Sequence, residues 1–147
     1  MRSTLLRLSA VAAFVALFVL PSSGMGATKA SQPKLKVDRE QFRSVITNLL
    51  LNACDALGQR GEIRIETSQS DSWAILSVVD NGCGMSPAFV KASLFRPFQT
   101  TKKKGLGIGM FQSKMIVEAH RGKIQVDSEP GAGTTFRVML PLNGQAL

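Results

Sequence analysis

The sequence is short of the side chains that most often build metal and redox sites. It has one histidine, His120, and two cysteines, Cys54 and Cys83. The cysteines lie far apart and form no CxxC pair, and a single imidazole cannot complete a zinc site with them. They read as free, reduced thiols of a cytosolic domain, with a disulfide as the alternative. Acidic residues are scarce as well: 10 Asp and Glu against 18 Lys and Arg leave a formal charge of +8. Such an excess suits either a polyanionic partner or a solvated basic surface beside an anionic ligand. A duplex-binding surface usually shows a Lys/Arg stripe on a helix, often interleaved with aromatics. The densest basic run here, Lys102-Lys103-Lys104, instead abuts glycines, which favours a phosphate ligand and no nucleic acid. Internal repeats and low-complexity tracts are also missing. With 44% hydrophobic and 19% charged residues, the chain can build an ordinary core and is not compositionally disordered. Its 147 residues give room for one domain and a short appendage.

That appendage is residues 1–30. Arg2 and Arg7 precede an apolar run, Ala10 to Leu20, which breaks at Pro21-Ser22-Ser23-Gly24. The run is about half the ~20 residues that a bilayer-crossing helix needs. A basic start, a short apolar centre and small residues at Gly26 and Ala27 resemble an export signal, although Met25 stands where a smaller residue is usual. A misassigned start or a fusion scar is the alternative. The segment is set apart from the fold, and any membrane association would run through it.

Beyond Pro33, Leu35-Lys36-Val37 alternates like a short strand. Asp38 with Gln41 three residues on is a capping-box pattern. It opens a helix whose apolar residues, from Phe42, Val45 and Ile46 to Leu57, have helical spacing up to a stop at Gly58. Strand-like stretches follow at Glu62 to Thr67 and Trp73 to Val79 around a Ser/Asp-rich turn. A short helix is predicted over Pro87 to Ser93 and a longer one from Gly109 to Ala119. Final strands at Lys123 to Val126 and Thr134 to Leu140 flank the turn Glu129-Pro130-Gly131-Ala132-Gly133. This order predicts an α+β, two-layer sandwich with helices on one face of a mixed, mostly antiparallel sheet.

Three features carry chemistry. Asn48, Asn52 and Asp55 fall within roughly 60° of one another on one helix edge. Short polar side chains are poor helix formers there, and an amide oxygen at Asn52 suits magnesium, a hard cation that keeps several waters. The alternative is that these amides only bond neighbouring backbone. Asp80-Asn81-Gly82-Cys83-Gly84-Met85 ends a strand in a carboxylate followed by glycines that let a flat ring approach. Asp80 can accept from an exocyclic amine such as the adenine 6-amino group; a plain hairpin turn is the alternative. Gly105-Leu106-Gly107-Ile108-Gly109-Met110 opens a helix whose unpaired N–H groups and dipole make a phosphate cradle. No strand precedes it, so it is neither a dinucleotide fingerprint nor a P-loop. Upstream, Phe95 and Phe98 around Pro97 can anchor a lid on the core, leaving Thr100, Thr101 and Lys102 near the phosphates. Lys103 and Lys104 read as a solvated loop.

Taken in order, Asn48-Leu-Leu-Leu-Asn52-Ala-Cys-Asp55-Ala, Asp80-Asn-Gly-Cys-Gly84, Leu94-Phe-Arg-Pro-Phe98, Gly105-Leu-Gly-Ile-Gly109 and Gly131-Ala-Gly-Thr-Thr-Phe136 resemble the N, G1, F, G2 and terminal G/T boxes. These mark the catalytic ATP-binding domain of sensor histidine kinases, within the gyrase–Hsp90–histidine kinase–MutL superfamily. Each box alone is weak, and their order and spacing make the likeness specific over residues 35 to 142. The run Phe95 to Gly109 is especially similar to the exosortase-associated (PEP-CTERM) kinases of the PrsK type. The resemblance implies the Bergerat-type ATP-binding fold, with ATP and Mg2+ as cofactors. It implies Asn52 as the magnesium ligand and Asp80, assisted by Gly84 and Thr134, as the reader of adenine. Asn48 and Asp55 would lie near the phosphates, and Lys102 with Gly105, Gly107 and Gly109 would contact the triphosphate. Gly82, Met85, Phe98, Thr100, Thr101, Leu106, Ile108 and Met110 complete the expected nucleotide contacts, with Asn48 and Lys102 as the catalytic pair.

Two departures shape the functional expectation. The hydrolysing branches of the superfamily place a water-activating Glu four residues before the magnesium asparagine. Asn48 holds that position here and cannot act as a general base near neutral pH. Transfer of the γ-phosphoryl group to an incoming imidazole is therefore favoured over hydrolysis. Secondly, the sequence contains no candidate for the dimerising hairpin that carries the phosphoacceptor histidine; His120, before Arg121-Gly122, reads as a helix-terminal structural residue. The expected partners are thus a histidine-bearing dimerisation domain or partner kinase chain, and then a response regulator. A non-catalytic ATP-binding module is the main alternative; an anti-sigma-factor serine kinase, an independent ATPase and a DNA-binding role fit less well. ATP chemistry places the domain on the cytoplasmic side, in conflict with the signal-like start.

Overall fold

The computed structural model describes residues 35, 37–58, 60–100 and 105–142. The expectations for residues 1–30 lie outside them, as do those for Lys36, Thr101, Lys102, Lys103 and Lys104.

The chain forms helix α1 (Arg39–Leu57), strands β1 (Ile63–Ser70) and β2 (Trp73–Asp80), helices α2 (Pro87–Ala92) and α3 (Gly109–Ala119), and strands β3 (Lys123–Glu129) and β4 (Gly133–Pro141). The four strands pair in the order β1-β2-β4-β3. Every pairing among them is antiparallel, so the parallel part of the expected mixed sheet is not found among the described residues. Leu35 and Val37, expected in a strand, have no regular structure.

Helix α1 starts where Asp38 accepts a hydrogen bond from the Gln41 N–H at 2.9 Å, satisfying one of the orphan donors of the first turn. The reciprocal half of a capping box would use the Gln41 side chain. Here the Asp38 N–H donates instead to His120 Nε2 at 2.9 Å, 82 residues away. The helix ends at Gly58, whose φ of 62° is the left-handed conformation that glycine adopts without strain.

Alternation along β2 and β4 turns Leu76, Val78, Phe136, Val138 and Leu140 toward the helices, all buried. They meet Phe42, Val45, Leu49 and Ala53 of α1 and Met110 and Val117 of α3 in one cluster. Apolar burial on this scale stabilises by about 1.5–3 kcal/mol per large side chain. On the opposite face, Lys123 lies 4.7 Å from the centroid of the Trp73 ring, a cation–π contact that covers part of the sheet. The central strands thus deliver Asp80 and Thr134, both buried, to the same end of the sheet, paired across β2 and β4.

Candidate functional site

A cavity of about 750 Å³ opens between α1, the start of α3, the loop after β2 and the stretch before α3. Asn48, Asn52 and Asp55 line it from α1, as their common helix edge requires. Leu51 joins them between. The loop after β2 contributes Gly84 and Met85, and β2 and β4 end there in Asp80 and Thr134. On the far side stand Thr100, Gly105, Leu106, Gly107, Ile108, Gly109 and Met110.

Asp80 is the buried charge of this site. Burial raises its carboxyl above the ordinary 3.8, while hydrogen bonds from the Gly82 and Thr134 backbone N–H groups pull the other way. The Gly82 bond to Oδ1 is 2.9 Å long. A carboxylate that keeps acceptor capacity at a cavity wall is suited to a ligand N–H donor. After β2 the chain leaves the sheet for α2, so Asp80-Asn81-Gly82 is not a hairpin turn. Asn81 does a separate job: its Oδ1 accepts the Glu62 N–H at 2.8 Å, fixing the approach to β1.

The wall under this carboxylate is a backbone-to-backbone seam between the loop after β2 and the β3–β4 turn. The Gly131 N–H donates to the Cys83 carbonyl at 2.8 Å. Gly84 has φ 64° and Gly133 φ 106°. A Cβ on the first would overlap the Glu129 carbonyl, and one on the second the Asp80 carbonyl. Ser128 holds the seam from behind: the Met85 N–H donates to its Oγ at 2.8 Å, and Thr134 Oγ1 is 2.9 Å away.

At the opposite end, α3 begins at Gly109 after Ile108, with no side-chain cap. Among the described residues no side-chain cap therefore competes for its first N–H groups, the arrangement that favours phosphate. Asn48 sets this helix in place. Its Nδ2 donates to the Gly109 carbonyl and to Ser113 Oγ, each at 3.2 Å, and Ser113 is fully buried. Asn48 thus lines the cavity and also bonds neighbouring structure.

Magnesium fits this donor set. It prefers oxygen, and is commonly held by one or two protein oxygens together with substrate phosphates and water. Asn52, an amide oxygen source, lies on the cavity wall beside Asp55. Among the described residues no cluster of His, Cys, Asp and Glu forms an all-protein metal cage.

Two expected contacts differ. Gly82 does not line the cavity; it lies against the Ala56 carbonyl and serves the site through its bond to Asp80. Phe98 also lies outside the lining: it is 74% exposed with φ 61°, while its N–H donates to the Gly107 carbonyl at 3.0 Å. Of the two rings only Phe95 packs against the core, next to the buried Leu94, because the left-handed turn at Phe98 directs the second ring outward. Sequence reasoning missed Leu51, Cys83, Phe89, Gln99 and Gln112, all on the wall. Leu51 was findable from its place on the Asn48–Asp55 helix edge; Gln99 and Gln112 carried no comparable signal. Cys54 and Cys83 are both free thiols.

A two-layer sandwich that sets a buried carboxylate at one end of a cavity and an uncapped helix at the other is a nucleotide-binding architecture. Residues 37–144 match the family described as histidine kinase-, DNA gyrase B-, and HSP90-like ATPase. The chain belongs to this family and carries an ATP-binding catalytic domain of the histidine-kinase type. It is 46% identical over 112 residues to the signal transduction histidine-protein kinase AtoS of Escherichia coli, covering 76% of this chain and 18% of AtoS. It is 40% identical over 111 residues to the E. coli sensor histidine kinase ZraS, covering 76% and 24%. The chain thus spans less than a quarter of these relatives. Among solved structures, the catalytic domain of the histidine kinase ThkA superposes with a TM-score of 0.64 at 31% identity, covering 73% of this chain and 70% of that one. Full-length ShkA in complex with AMPPNP gives 0.67 at 25% identity, covering 79% and 24%.

Proposed function

We propose that this domain binds magnesium-ATP and donates the γ-phosphoryl group to a histidine on a phosphoacceptor domain outside the described residues. A response regulator would then receive the group in a two-component relay. The observation that carries this reading is Asn48. A carboxamide tied to Gly109 and Ser113 occupies the place from which a carboxylate would activate water. An amide cannot take a proton from water near neutral pH, whereas a neutral imidazole needs no such help.

The adenine ring would enter toward Asp80, with the 6-amino group donating to its carboxylate. The phosphates would point to the start of α3, whose first N–H groups would stabilise charge on the transferring group. Asn52 would hold the magnesium ion, which when bound neutralises phosphate charge. Thr101 and Lys102 are proposed for the same end of the nucleotide. His120 is not the acceptor: its Nδ1 lies 2.8 Å from the Ile116 carbonyl, and its Nε2 accepts from Asp38. Among the described residues no helix is long and apolar enough to cross a membrane, and the domain is proposed to work on the cytoplasmic side, where ATP is.

The test is transfer from γ-labelled ATP to a supplied histidine-bearing dimerisation domain of an AtoS-like kinase. Acid-labile, alkali-stable label on that domain is expected. Tight ATP binding without any labelled histidine would leave a binding module and overturn the kinase reading.

A further inference from the structure

Behind the adenine end of the cavity, one serine controls where the hydrogens point. Ser128 Oγ is 2.8 Å from the Met85 N–H, 3.1 Å from the Gly133 carbonyl and 2.9 Å from Thr134 Oγ1. Met85 N–H can only donate, and a carbonyl oxygen can only accept. A serine hydroxyl has one hydrogen and two lone pairs. All three contacts are hydrogen bonds in one arrangement alone: Ser128 donates to Gly133 and accepts from Met85 and from the Thr134 hydroxyl.

The consequence falls on Thr134, which lines the cavity while Ser128 does not. Its only hydroxyl hydrogen is turned away toward Ser128, so the oxygen it offers the cavity is purely an acceptor. Thr134 is paired with Asp80 across β2 and β4, and Asp80 is the other acceptor on that wall. Two acceptors side by side match a ligand edge that carries two N–H donors. They repel a carbonyl oxygen in the place of an amino group. We propose that Ser128 is a positioning residue that sets base specificity, by holding Thr134 as an obligate acceptor for the 6-amino group of a purine.

This rests on the nucleotide reading above, and adds to it the residue that orients the Thr134 hydroxyl. The probes are adenosine and purine riboside, which differ only in the 6-amino group, each titrated against the full chain. The wild-type chain is expected to prefer adenosine. Ser128→Ala frees the Thr134 hydroxyl to rotate, and is expected to cut that preference about fivefold, the worth of one hydrogen bond. Purine riboside affinity should stay within about twofold, which also shows that the wall still folds. Ser128→Thr, which keeps the hydroxyl, should restore the preference, and on a Thr134→Val background Ser128→Ala should change nothing further.

An equal loss of both ligands in Ser128→Ala would make the serine a general support of the wall and overturn the proposal. An unchanged preference would overturn it while leaving the nucleotide reading intact. A wild-type chain that binds neither ligand nor ATP would defeat both.

Discussion

Replacing Asp80 by asparagine exchanges one oxygen for an amino group, and the hydrogen bonds around the carboxylate set the size and sign of the effect. Oδ1 accepts the Gly82 N–H at 2.9 Å, and the Thr134 backbone N–H also reaches the carboxylate. In Asp80→Asn an NH2 replaces one of these oxygens. It must face either a backbone N–H or the ligand's amino group, donor against donor. A hydrogen bond to a charged group is worth about 1.5–3 kcal/mol. The affinity for adenosine should therefore fall about 10- to 150-fold, measured by isothermal titration calorimetry near neutral pH. The wild-type site adds a pH signature. Binding the amino donor needs the ionised carboxyl, and burial holds this carboxyl above 3.8. Adenosine affinity should decline as pH falls through that raised value, and Asp80→Asn should flatten the decline. Stability runs the opposite way. In the window between 3.8 and the raised value, the folded chain holds a proton that the unfolded chain has released. The stability attributable to Asp80 is therefore lost as pH rises through the window. A change in adenosine affinity of less than about twofold in Asp80→Asn would refute the placement of the base.

Three further outcomes are expected. Gly84→Ala puts a methyl into the Glu129 carbonyl at positive φ, and should cost about 2–5 kcal/mol in chemical denaturation, from left-handed strain plus overlap; a loss below about 1 kcal/mol would contradict the seam. His120→Ala removes the acceptor of the Asp38 N–H, and should lower stability by about 1 kcal/mol and accelerate hydrogen exchange at that amide. Unchanged exchange would mean the bond is not formed in solution. Asn52→Ala should weaken ATP binding in the presence of magnesium and leave adenosine binding unchanged, with equal losses for both ligands counting against a metal role.

The elements were legible in the sequence because their signals are local. Apolar spacing from Phe42 to Leu57 and alternation in β2 and β4 come from how each element faces one core. Gly109–Ala119 was readable from end to end, since a glycine loop opens it and His120-Arg121-Gly122 closes it. The polar edge Asn48, Asn52 and Asp55 is likewise a matter of helical phase. What stayed hidden depends on contacts between distant segments. Nothing near Asp38 announces that its N–H will meet an imidazole 82 residues away. Ser128 looks like an ordinary residue before a turn until β3 and β4 bring it beneath Met85. Phe98 reads as an anchor in the sequence because composition shows a ring but not the sign of φ.

Helix α3 touches two very different places. Its last turn ends at His120, bonded to the residue that caps α1; its first turn, which has no side-chain cap, is held by Asn48. The 11 residues between make a rod about 16 Å long, packed against the core through Met110, Ser113 and Val117. One helix thus links the start of α1 to the place where charge would be bound.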